Sequence, residues 1–191
     1  MGALTDFGDG AVLLPLSAVM LTWLLFDNSR RVVGSWVIAV GLCFAATALL
    51  KIYLYACPLT PDLVSPSGHS SLSVLIYGAI AVVIAAQHRG WLRVVILVAG
   101  ASLIVGIAGS RLWLHAHSAP EVAVGVVIGI ASLALFTANY VGFRTEGRRL
   151  RPFILSVIVV AAIFHGQELR AEAFLHAVSR HLHIRSIACN G

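Results

Sequence analysis

The sequence predicts an all-α polytopic membrane bundle of about six transmembrane helices, followed by a C-terminal amphipathic interfacial helix. Three observations carry this. Of 191 residues, 59% are hydrophobic and only 11% charged, too few charges to cover a soluble domain of this size. The mean hydropathy is +0.94. The apolar residues also fall in blocks approaching bilayer-spanning length, about 20 residues at roughly 1.5 Å each. No strand alternation, long-period repeat or interdomain linker breaks the pattern. A single membrane-embedded domain over 1–191 is therefore expected, with a core at 11–166 and a tail at 167–191.

The first span is expected at Ala11–Phe26. Asp6 and Asp9 precede it, where a cleaved secretory signal would carry basic residues, so it reads as a mature helix. The following spans are expected at Val32–Tyr55, Ser67–Gln87, Leu92–Gly109, Pro120–Tyr140 and Pro152–His165. Ser65 is placed to cap the third, with Pro66 at its first helical position, where a missing N–H costs nothing. Gly125 and Gly129 on the fifth read as helix-packing contacts. In the tail, Ala171, Phe174, Leu175, Val178 and Leu182 recur at helical spacing among Arg170, Arg180, Arg185, His176, His181 and His183. That pattern reads as an amphipathic helix on the outer membrane surface, with a histidine metal site the lesser alternative.

The basic residues set the orientation. Arg30 and Arg31, Arg89 and Arg93, and Arg144, Arg148, Arg149 and Arg151 follow spans one, three and five, eight of thirteen in all. The positive-inside rule makes those loops cytoplasmic and the amino terminus external. The net charge of +5 is thus a topology signal and a contact for anionic lipids. It does not indicate nucleic acid, because no soluble basic face interleaved with aromatics is present.

The opposite end carries the chemistry. Lys51, Cys57-Pro58 and Ser65-Pro66-Ser67-Gly68-His69 lie between spans two and three, and Ser110-Arg111 through His115, His117 and Glu121 between spans four and five. Ionisable residues at membrane depth are costly and are functional candidates by default. The amides of Ser67, Gly68 and His69 at a helix start suit a phosphate, and Gly68 admits it closely. Lys51 and Arg111 add charge-assisted hydrogen bonds. Glu121, four residues after His117, can hold one imidazole nitrogen protonated and leave the other to attack. His69 is then the donor to the departing oxygen. Each has a plainer reading: Lys51 snorkelling to headgroups, Ser65–Gly68 an ordinary turn, Arg111 and His115 interfacial residues.

Pro66-Ser67-Gly68-His69, and Ser110-Arg111 with His117 six residues beyond the arginine, resemble motifs two and three of the type 2 phosphatidic acid phosphatase superfamily. The resemblance spans Lys51 to Glu121. It implies a helical bundle, a site without metal or cofactor, and a phosphohistidine intermediate. His117 is then the nucleophile, Glu121 its orienting acid, His69 the general acid, and Lys51, Ser67, Gly68 and Arg111 the phosphate clamp. Two positions depart from the pattern. The first-motif arginine is missing, with Cys57 before Pro58, and the acid closing motif three is Glu121 where aspartate is usual.

The expected activity is hydrolysis of a lipid phosphomonoester or diphosphate at the extracytoplasmic face of a prokaryotic inner membrane. The expected partners are that lipid and the surrounding membrane lipids; the oligomeric state is not legible. A lipid phosphotransferase using the same intermediate, or a non-catalytic phospholipid-binding protein favoured by the missing arginine, remain as alternatives. An isoprenyl phosphate, a glycerophospholipid phosphate or a phosphorylated lipid A all fit, and short loops favour a simple headgroup. Cys43 reads as a packing residue. Cys57 and Cys189 share the outer face, where a bridge between them is possible.

Overall fold

A computed structural model describes residues 2–27, 29–57, 60, 62–143 and 150–167. Among them are seven helices: α1 Gly2–Asp6, α2 Gly10–Asp27, α3 Arg30–Ala56, α4 Gly68–Ala85, α5 Trp91–Trp113, α6 Ala119–Phe143 and α7 Leu150–Phe164. The described residues hold no strand, only an isolated bridge between Thr60 and Leu63. Helices α3 to α6 are each long and apolar enough to cross a membrane, and α2 and α7 are shorter apolar helices. The protein is therefore an all-α membrane protein. The interfacial helix expected in the tail falls, from residue 168 onward, outside the described residues.

The six expected spans correspond to α2 through α7, with ends shifted by local chemistry. Helix α3 starts at Arg30 because the Ser29 hydroxyl accepts the Val32 amide at 3.4 Å, an N-cap. Helix α5 runs to Trp113, past the expected end at Gly109, since Ser110 to Trp113 contain no helix breaker. Short α1 was not expected. Ser65 was expected to cap α4, but that position belongs to Ser67, whose hydroxyl accepts the Ser70 amide at 3.4 Å. The Ser65 amide donates instead to a carboxylate on α6.

Helix α4 is central, packed against α2, α3, α5 and α6, while α2 also pairs with α7. Lipid provides no hydrophobic drive between helices, so close contact must come from small residues. Gly125 and Gly129 meet that need on α6. A Cβ on Gly125 would run into the Ser67 carbonyl oxygen, and one on Gly129 would lie 2.5 Å from the Ser71 carbonyl. By contrast α5 turns Val94, Val98 and Val105 outward, as a lipid-facing helix should.

The helices alternate in direction, so one end collects the starts of α2, α4 and α6 with the ends of α3, α5 and α7. Deeper in the bundle the Trp36 indole donates to the Ser17 carbonyl at 3.3 Å and meets the Phe136 ring edge-on at 5.1 Å. At the opposite end the Arg31 guanidinium lies 5.0 Å above the Phe143 ring, a cation–π contact within the basic end.

Candidate active site

Helix α5 ends by curling back on itself. The amides of Ala116 and His117 both donate to the Arg111 carbonyl, at 3.1 and 3.3 Å, so the chain reverses and brings His117 beside its own last turn. The turn needs a left-handed residue, and His115 takes that role with φ 51°, at a position that usually prefers glycine. His115 itself is exposed.

Helix α6 then starts with a reciprocal cap. Ser118 Oγ accepts the Glu121 amide at 3.4 Å, and Glu121 Oε2 accepts the Ser118 amide at 3.2 Å. This capping box was written in Ser118-Ala119-Pro120-Glu121, a signal the sequence reading passed over. The same Oε2 faces His117 Nδ1 at 2.8 Å. The other oxygen, Oε1, accepts the amides of Val64 and Ser65 at 3.0 and 2.6 Å. Further donors come from Ser118 Oγ to the Asp62 carbonyl and from the Ser67 amide to the Glu121 carbonyl at 3.0 Å. One carboxylate on α6 thus receives four donors and ties both motif regions together. His117 and Glu121 are buried, where such a charge is tolerable only when fully hydrogen-bonded.

That network corrects one expectation. The Ser67 amide is bound to the Glu121 carbonyl, so it does not point out of the helix as a phosphate donor. An α-helix cannot pair its first amides within itself, and at α4 that end is formed by Gly68 and His69. Ser67 instead uses its hydroxyl, accepting from the Ser70 amide and, at 3.0 Å, from the Ser70 hydroxyl.

Lys51 is buried, one helical turn after Thr47 on α3. Thr47 Oγ1 lies 3.0 Å from Ser71 Oγ, and a Cβ on Gly68 would meet Lys51 Cε at 4.0 Å. The structure thus places Lys51 against the start of α4 and not among headgroups. Arg111 is half-buried at the end of α5, and its carbonyl anchors the His117 turn. His69, in the first turn of α4, has a side chain 18% exposed. All seven expected site residues therefore lie at one end of the bundle. Among the described residues, no three His, Cys, Asp or Glu side chains are grouped as metal ligands.

Sequence reasoning missed Asp9. It lies at the start of α2, buried, with Oδ2 3.5 Å from His69 Nε2. Cys57, which replaces the first-motif arginine, is disulfide-bonded, and so is no phosphate ligand. Cys189, the partner suggested from sidedness, lies outside the described residues. Cys43 is a free thiol, buried in the core.

Comparison with known proteins agrees with the motif resemblance. The family model described as PAP2 superfamily matches residues 53–145. A protein of Klebsiella pneumoniae, named "Uncharacterized 22.5 kDa protein in cps region", is 32% identical over 134 residues, covering 68% of this chain and 64% of that protein. The match thus spans somewhat less than two thirds of the relative's length. No solved structure matches the chain.

Proposed function

From the premise that residues 53–145 belong to the PAP2 superfamily, whose members are phosphatases, we propose that this protein hydrolyses a lipid phosphate through a phosphohistidine on His117. The observation that carries the reading is the 2.8 Å contact between His117 Nδ1 and Glu121 Oε2. With Nδ1–H donating to the carboxylate, the lone pair is on Nε2, the opposite edge of the ring. An imidazole so held is an activated nucleophile, and Glu121 compensates the positive charge that develops on attack.

In this reading the phosphate sits at the open end of α4, on the Gly68 and His69 amides and the positive helix end. Lys51 and Arg111 neutralise its charge. His117 Nε2 attacks phosphorus, the bond from phosphorus to the lipid oxygen breaks, and His69 passes a proton to that oxygen. Water then attacks the phosphorus of phospho-His117. Its proton returns to His69, the P–N bond breaks with its electron pair going back to Nε2, and inorganic phosphate departs. The apolar flanks of the bundle suit a substrate whose tail stays in the bilayer. On the positive-inside rule this end faces the periplasm or exterior.

The test is phosphate release by detergent-purified protein in EDTA over a panel of lipid phosphates, with His117→Ala alongside. Release that survives chelation and disappears in the variant is the expected result. Release that continues in His117→Ala contradicts the mechanism, and transfer of the phosphate to an added lipid or sugar alcohol in preference to water identifies a transferase.

A further inference from the structure

We propose that Asp9 is a positioning residue for His69, so that each histidine of the site is held by its own carboxylate; this rests on the hydrolase reading above. Helix α2 begins at Gly10. Asp9 is its N-cap: Oδ1 accepts the Ala11 amide at 2.8 Å, while the Asp9 carbonyl accepts those of Val12 and Leu13 at 3.0 and 2.9 Å. Capping uses one carboxylate oxygen and would be served equally by serine or asparagine. The second oxygen, Oδ2, is turned to His69 Nε2 at 3.5 Å. A buried carboxylate is costly unless an opposite charge or donors meet it, and the imidazolium of a general acid is such a partner.

The segment that carries Asp9 is fixed by contacts with two other helices. Thr5 Oγ1 donates to Ser110 Oγ at 2.7 Å, next to Arg111 on α5. Tyr77 on α4 donates its hydroxyl proton to the Phe7 carbonyl at 2.7 Å. Between these anchors the chain passes so close to the site that a Cβ on Gly8 would lie 2.6 Å from Ile107 Cγ2 and 3.3 Å from His69 Cδ2. The N-terminal segment is thus a wall of the site, and Asp9 is the acidic group it brings to His69. In the first half-reaction His69 gives its proton to the lipid oxygen, and in the second it recovers one from water. Asp9 stays ionised throughout, fixing the ring and favouring its recharging.

The full-length protein tests this by leaving-group dependence. An alkyl ester such as phosphatidic acid in mixed micelles needs a proton on its departing oxygen; p-nitrophenyl phosphate does not. Asp9→Asn and Asp9→Ser keep a capping oxygen and remove the carboxylate. In single turnovers with excess protein, which read the first half-reaction alone, they should lower the rate of phosphatidic acid cleavage by about 10- to 100-fold, the scale known for partners that orient metal-ligating histidines, while the rate of p-nitrophenol release stays within about threefold of wild type. Asp9→Glu should recover part of the loss, and His69→Gln should show the same selectivity more strongly. Equal losses on both substrates, or none, with His69→Gln selective and His117→Ala inactive, would overturn the role of Asp9 and leave the hydrolase reading standing. Activity that survives in His117→Ala, or no wild-type turnover of any lipid phosphate in the panel, would overturn the hydrolase reading and this proposal with it.

Discussion

At the residue scale the site turns on Glu121. Its carboxylate serves His117 and three backbone amides at once, so its length is part of the design. Glu121→Gln keeps the shape but loses the charge and offers N–H where an amide donor now points. We expect turnover to fall by about 10²- to 10⁴-fold, the range for losing a general acid–base partner. Glu121→Asp, although the usual residue of the motif, is one methylene short of its span here and should lose up to about 10²-fold, the cost of a misplacement of about an ångström; steady-state kinetics with matched protein amounts checks both. His115 gives a stability prediction. Its left-handed backbone is tolerated by histidine but not by a β-branched side chain, so His115→Ile should cost about 1–2 kcal/mol, read as a lower thermal midpoint in detergent.

At the element scale the crossing of α4 and α6 places the two motif regions together. Gly125→Ala would force the helices apart at the Ser67 carbonyl. It should destabilise by about 1–3 kcal/mol and cut activity at least tenfold. Gly142→Ala, where nothing lies within 4 Å of the new methyl, should leave both unchanged. A thermal-shift assay and an activity measurement on each variant decide this. Much of this scale was legible in the sequence, because a span of apolar residues and a small-xxx-small pair are local signals. The start of α4 was not: Ser65 looked like a cap, but its amide is drawn to Glu121 on a helix two elements away. Asp9 was invisible for the same reason. Its neighbours in sequence mark only a helix start, and its relation to His69 exists only once α2 has packed on α4. The Ser118–Glu121 capping box is the opposite case, a local signal that was present and could have been read.

At the scale of the whole molecule, two unlike ends follow from the charge pattern. Lys51, Arg111, the histidines and both site carboxylates lie at one, and Arg30, Arg31, Arg89, Arg93 and Arg151 follow helix ends at the other. By the positive-inside rule a cysteine placed at exposed Ala116 should react with a membrane-impermeant maleimide in intact cells, and one at exposed Arg93 only after permeabilisation. The reverse labelling would invert the topology. The central claim, a covalent phosphate on His117, is tested most directly by rapid alkaline quenching of the protein during turnover of a ³²P-labelled lipid phosphate. An alkali-stable, acid-labile label is expected on wild type and is expected to be absent from His117→Ala. A label that persists in His117→Ala, or turnover with no label at any quench time, would contradict it.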